Sequence, residues 1–274
     1  MDFSWLEHAF MKRALIATLM LAPMTAAVGT HVVNSRMAFF ADAIAHSAFA
    51  GVALGVLFAI SGESANWVLV CFGALVAVII TRIRRGSELS EDTVVGVAFS
   101  AVVATGIMIV SHAGSGGLRQ LEQVLYGDIL TVGTRQLVEL AILVTIVTLF
   151  LLFGHNRLLL LEISPVLGAV RGIADRGYDY ALSVLVAVVI MMSIPVIGLL
   201  LVTAMLVVPA AAARNLARSS AALFWWAVVI NLIAAIGGLI GSYYLDTKTG
   251  ATIICASAMI FAVSLAFKRQ PKLA

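Results

Sequence analysis

Residues 180–213, YALSVLVAVVIMMSIPVIGLLLVTAMLVVPAAAA, form an apolar run without a single charged side chain. A helix crosses the hydrocarbon of a bilayer with about 20 residues, so this run is short for two crossings and long for one. Its flanks decide between them. Arg171 and Arg176 precede it, and Arg214 and Arg218 follow it. Lys and Arg collect in cytoplasmic loops, so flanks of one sign on both ends require the chain to cross twice. Pro195 and Gly198 are then expected to supply the outer turn. This reading counts nine spans; a single crossing would make eight.

Working outward, similar apolar runs recur along the chain. The expected spans are 14–33, 37–58, 67–81, 93–110, 136–153, 178–194, 198–209, 221–243 and 249–267. Of the 274 residues, 62% are hydrophobic and 11% charged, and the mean hydropathy is +1.09. Soluble domains carry about 25% charged residues, so a soluble protein is excluded. Lipid admits only helices or a closed barrel. The runs are continuous rather than alternating, which selects an all-α transmembrane bundle, read as one domain over residues 1–274.

Orientation follows from the basic residues. With the N-terminus outside and the C-terminus cytoplasmic, Arg36, Arg82, Arg84, Arg85, Arg157, Arg171, Arg176, Arg214, Arg218, Lys268, Arg269 and Lys272 fall inside. Lys12, Arg13, Arg119, Arg135 and Lys248 remain outside. The formal charge of +3 thus reflects topology and does not point to nucleic acid. Lys12-Arg13 before a long apolar stretch reads as a retained first helix rather than a cleaved signal. Residues 114–134 are expected to form a short surface or re-entrant helix. Cys71 and Cys255 lie in apolar runs and read as small buried hydrophobes, not as a disulfide or metal pair.

An ionisable group at mid-bilayer costs about 2.5–3.5 kcal/mol on insertion scales, so its presence asks for a function. Asp42 and His46 stand in the first half of the second span, in RMAFFADAIAHSAFAGVALG (residues 36–55). Positions i and i+4 share a helix face with side chains about 5–6 Å apart. A carboxylate and an imidazole can together hold one divalent ion, and the pair suits zinc, manganese or ferrous iron. The alternative is an internal hydrogen bond that merely neutralises both groups. Two ligands do not complete a site, and a second copy across a two-fold axis would double them. The small residues Ala41, Ala45, Ala48, Gly51 and Gly55 would permit such an approach.

Residues 198–218, GLLLVTAMLVVPAAAARNLAR, read as an apolar helix ended by Pro209, then an alanine-rich turn bearing Arg214 and Arg218. They are either positive-inside anchors or a short cytoplasmic helix that docks on a partner. In the loop RIRRGSELSEDTVVG (residues 82–96), Ser90 before Glu91 and Asp92 predicts a helix start; nothing in it is catalytic. His8, His112 and His155 lie at boundaries and are expected to be solvated. His31, near the inner end of the first span, is expected to be a packing or capping residue, with an exit-path role as the alternative.

The sequence contains neither GxxxxGK[ST] nor HExxH, so neither nucleotide hydrolysis nor zinc proteolysis is expected of this chain. Three classes remain: a permease driven by a separate ATPase, a transporter driven by a proton or sodium gradient with Asp42–His46 as proton relay, and, least favoured, a membrane enzyme. No internal repeat of the kind found in many secondary transporters is visible.

Four stretches carry a resemblance: residues 36–55; EDTVVGVAFS, residues 91–100; YGDIL, residues 126–130; and GLLLVTAMLVVPAAAAR, residues 198–214. In order and spacing, over essentially the whole chain, the sequence resembles the zinc/manganese/iron family of ABC importer permeases. The resemblance implies a non-enzymatic permease in the bacterial cytoplasmic membrane that works by alternating access. It implies a second permease copy, identical or related, a cytoplasmic ATPase dimer and an external solute-binding protein as partners. No cofactor is expected to be permanently bound; zinc, manganese or iron is cargo. The family's metal-passage aspartate and histidine fall on Asp42 and His46. Its ATPase-docking segment falls on Pro209, Ala210, Ala213, Arg214 and Arg218. Ala41 stands where the family often has glycine. A permease for a metal chelate is the alternative cargo class, against which the Asp–His pair argues.

Overall fold

The computed structural model describes residues 8–58, 60, 63–112, 124–125, 127, 129–173 and 175–267. Among these residues the structure is helical throughout, with no strand. The helices are α1 Ala9–Asn34, α2 Ala38–Leu57, α3 Glu63–Gly86, α4 Glu91–His112, α5 Thr134–Ile163, the short α6 Pro165–Val170, α7 Asp175–Ile197, α8 Leu199–Leu216, α9 Ser220–Leu245 and α10 Thr249–Ala266. All but α6 are long and apolar enough to cross a membrane, which makes nine candidate spans among the described residues. The chain is a multi-pass membrane protein.

The interior and the rim are set by how much of each span the others cover. In α1, 72% of the span is buried, and in α2 and α7 67%, against 22% in α4 and α10. Helix α1 packs against α5, α8 and α9; α2 lies between α3 and α4; α3 leans on α7. The rim helices turn Ile107, Met108, Leu152, Phe153, Met259 and Val263 outward, as expected where lipid is the solvent.

Residues 180–213 do form two candidate spans, but the turn is not made as expected. Pro195 lies inside α7, and the break is a single residue, Gly198, at φ 79° and ψ 161°. Only glycine adopts that conformation without strain. Gly127, from the YGDIL stretch, packs directly on it: a Cβ there would lie 2.1 Å from the Gly198 nitrogen. Tyr126, Asp128 and most of residues 114–134 lie outside the described residues; within that stretch, Ile129–Thr131 form one 3₁₀ turn.

Pro209 does not end its helix either. It sits inside α8, which continues to Leu216. Proline lacks the N–H that would bond to the carbonyl four residues earlier, here Met205. That carbonyl instead accepts a hydrogen bond from Asn231 Nδ2 of α9 at 3.1 Å. The same nitrogen reaches Ala22 O at 2.8 Å and Thr25 Oγ1 at 2.9 Å on α1. One buried amide thereby replaces the missing bond and ties three helices together.

Other expectations are corrected in smaller ways. Helix α1 begins before Lys12 and Arg13 rather than after them, and α5 runs to Ile163 rather than stopping near residue 153. Cys71 and Cys255 are exposed on the protein surface, not buried. The predicted helix start is present: Ser90 Oγ accepts from Thr93 N at 3.3 Å at the head of α4.

Candidate metal pathway and coupling segment

Asp42 and His46 occupy successive turns of α2 and are brought together as the spacing predicts. His46 Nδ1 is 3.0 Å from the backbone carbonyl of Asp42 and 3.5 Å from its Oδ1. A carbonyl only accepts, so in the neutral ring Nδ1 carries the hydrogen and Nε2 keeps its lone pair. Helix geometry therefore leaves the imidazole in the tautomer that can ligate a metal, its other nitrogen held by an oxygen as in many metal sites. The ring stands edge-on to Phe49 and to Phe99 of α4, with centroids 5.9 and 5.3 Å away. These rings wall the pair on one side. On the other it is open: the side chains of Asp42 and His46 are 42% and 23% exposed at the surface of the single chain.

The pair remains incomplete. Among the described residues no three His, Cys, Asp or Glu side chains converge as a metal cage. Ala41, Ala45 and Ala48 are buried within the chain, and a Cβ on Gly51 would meet Leu69 of α3 at 2.8 Å. The small-residue stripe therefore serves packing inside one chain and does not mark a face for a second copy. Asp42 and His46 are on a different side of α2 and are left accessible.

At the end of α8 the five singled-out residues divide. Pro209, Ala210 and Ala213 are buried, the two alanines in a cluster with Ala26, Leu223 and Ala227. Arg214 and Arg218 are exposed. There is no separate short helix: α8 itself carries Arg214, and Arg218 lies beyond its end at Leu216, just before Ser219 caps α9. Ser219 Oγ accepts from Ala222 N at 3.2 Å.

Two clusters escaped the sequence reading. Arg84 and Arg85, assigned to a loop, close the last turn of α3 and bind Asp179 of α7, with further pairs from Arg85 to Asp175 and from Arg84 to Glu91. These groups line a cavity of about 650 Å³ together with Arg36 and Glu162. His155, expected to be solvated, instead joins His31 and Glu162 in a buried chain of hydrogen bonds. Apart from Arg84 and Glu91, seven positions apart, their pairings join residues 90 to 131 positions apart in sequence, which no local pattern could reveal. His8 matches expectation: it is exposed, stacked on Phe10 at 5.3 Å.

A bundle with nine candidate membrane spans among the described residues, one of them carrying an exposed Asp–His pair, defines a multi-pass helical membrane protein. Residues 7–268 match the model of the ABC 3 transport family. The chain belongs to that family of ABC transporter membrane subunits. It is 33% identical to the high-affinity zinc uptake system membrane protein ZnuB of Haemophilus influenzae, over 94% of this chain and 97% of the relative. It is 30% identical to the manganese import system permease protein ScaB of Streptococcus gordonii, over 94% and 91%. Its fold matches PsaBC from Streptococcus pneumoniae, solved in complex with a Fab, with a TM-score of 0.82 at 27% identity over 95% of this chain and 92% of that one.

Proposed function

We propose that this chain is the permease subunit of an ATP-driven importer that moves a divalent transition-metal ion, zinc, manganese or iron, across the bacterial cytoplasmic membrane. The observation that carries the reading is the Asp42–His46 pair, a carboxylate and an imidazole with Nε2 free, one turn apart on a membrane-spanning helix. The open Nε2 lone pair could take up a proton as well as a metal; beside a carboxylate it suits a cation that sheds part of its hydration shell. Membership of the ABC 3 family and the likeness to zinc and manganese permeases support the same cargo.

In this reading the N-terminus faces outside and the C-terminus the cytoplasm. A second permease copy, identical or related, supplies a second Asp–His pair, because two ligands cannot hold a tetrahedral or octahedral ion alone. A solute-binding protein delivers the ion to the outer face. The exposed Arg214 and Arg218 contact a cytoplasmic ATPase dimer, while the buried Pro209, Ala210 and Ala213 hold that end of α8 in place. The permease itself hydrolyses nothing. ATP binding and hydrolysis below switch the open side, and ligand affinity stays modest so that the ion can leave.

The test is metal-stimulated ATPase activity of the permease assembled with its ATPase and binding protein. Zinc, manganese and iron are compared in wild type and in Asp42→Ala/His46→Ala. Stimulation by one metal, reduced at least about tenfold in the double variant, is the expected result. Stimulation that survives the substitutions in a correctly assembled complex overturns the site. A permease that associates with no ATPase and transports on a gradient overturns the class.

A further inference from the structure

The short helix α6 has no part in the metal reading. Its bounds are set locally: Ser164 Oγ accepts from Leu167 N at 3.4 Å, proline follows at the first helical position, and Gly172 at φ 70° turns the chain away. These are ordinary start and stop devices of a helix. Gly168 packs against the Leu161 side chain of α5, and α6 leans on α5 and, more lightly, on α7. What it turns away from them is apolar. Val166, Leu167 and Val170 are 72%, 53% and 80% exposed, and Ile163, at the end of α5, is 72% exposed.

Its height follows from helix geometry. A crossing takes about 20 residues; one that ends at Arg157, exposed on α5, begins near Val138. Leu161 lies one turn beyond Arg157, about 6 Å along the axis. The headgroup layer is about 5–7 Å thick on each side. Held against Leu161, α6 is therefore at headgroup level, on a rim helix with 28% of its span buried. The charges there are unbalanced. Among the described residues, Arg171 and Arg176 are exposed and form no side-chain hydrogen bond or ion pair. The acids between residues 160 and 180 are all taken: Glu162 by His31 and Asn34, Asp175 by Arg85, and Asp179 by Arg84 and Arg85.

We propose that α6 is an interfacial anchor: Val166, Leu167 and Val170 enter the boundary between headgroups and acyl chains of the cytoplasmic leaflet, and Arg171 and Arg176 hold the phosphates of anionic lipids. An aliphatic face flanked by arginines is what that boundary receives. A basic side chain near an anionic leaflet strengthens the association about fivefold. Lipid is the occupant that the position supplies, because α6 lies at headgroup level on the rim, where the bilayer already surrounds α5. Asp175 and Asp179 of α7 are held by Arg84 and Arg85 at the end of α3, so the anchor sets the height of both helix ends. Which leaflet this is rests on the proposed orientation; the contact with lipid does not.

The experiment uses the full-length chain with Cys71→Ser and Cys255→Ser, carrying a bimane label at Leu167→Cys or at Val170→Cys. The protein is placed in nanodiscs of mixed zwitterionic and anionic phospholipid. One lipid at a time is brominated near the headgroup end of its acyl chains, and quenching of the label is recorded against the unbrominated disc. Both lipids are expected to quench, the anionic one more strongly, by up to about fivefold per arginine. Arg171→Gln/Arg176→Gln should equalise the two without abolishing the quenching. Labels that neither lipid quenches would place α6 in water or under protein and overturn the proposal. Equal quenching by the two lipids with both arginines present overturns it as well. Because the permease is labelled alone, neither a failed metal site nor a missing ATPase alters this readout.

Discussion

Met205 loses its intrahelical donor because residue 209 is proline, and Asn231 supplies the replacement from a neighbouring helix at 3.1 Å. The two side chains are therefore coupled although they lie on different spans. Asn231→Ala leaves the carbonyls of Met205 and Ala22 without this donor, and a loss of about 1–2 kcal/mol is expected, within the range measured for hydrogen bonds in soluble and membrane proteins. Pro209→Ala returns an N–H to Met205. In that background Asn231→Ala should cost measurably less. A double-mutant cycle on thermal unfolding in detergent checks this; additive losses would show that the amide does not serve the proline. At the same scale, the i,i+4 spacing of Asp42 and His46 was enough to predict their meeting, since helix periodicity alone puts them on one face.

Among elements, the α7–α8 break depends on one backbone conformation. Gly198 at φ 79° accommodates the reversal, and Gly127 at φ 51° presses against it with no room for a side chain. Gly198→Ala forces a Cβ into a region essentially reserved for glycine, at a cost of about 1–3 kcal/mol. Gly127→Val should be worse, since its Cβ would overlap the Gly198 nitrogen and rigid backbone cannot yield as a side chain can. Yields of folded, monodisperse protein should fall in the order wild type, Gly198→Ala, Gly127→Val; a Gly127→Val protein as stable as wild type would contradict the contact. Helix α8 also shows why its proline misleads. Proline breaks a helix where nothing replaces the lost bond, and whether a replacement exists is not written within the helix.

For the molecule as a whole, the proposed orientation places the α9–α10 turn outside and the α3–α4 turn inside. In intact cells expressing a cysteine-free background, Thr247→Cys should react with a membrane-impermeant maleimide. Ser87→Cys should react only after permeabilisation. The opposite pattern would invert the topology and move Arg214 and Arg218 to the wrong face for a cytoplasmic partner. The outward exposure of Asp42 and His46 belongs to this scale as well: a single chain leaves the pair open, as the proposed second permease copy requires.

The number of spans, the all-helical class and the Asp42–His46 pair follow from composition, charge placement and helical period, because each depends on residues near one another in the chain and on the bilayer as solvent. Three features do not: the burial of the 41–45–48 alanine stripe against its own chain, the support of Pro209 by Asn231, and the joining of Glu162, His31 and His155. Each is a contact between different spans, from 26 residues apart for Asn231 and Met205 to 124 and 131 for the histidine chain. Apolar helices in lipid carry little record of which neighbour they will meet. Small residues and stray polar groups look alike on every span until close packing selects their partners.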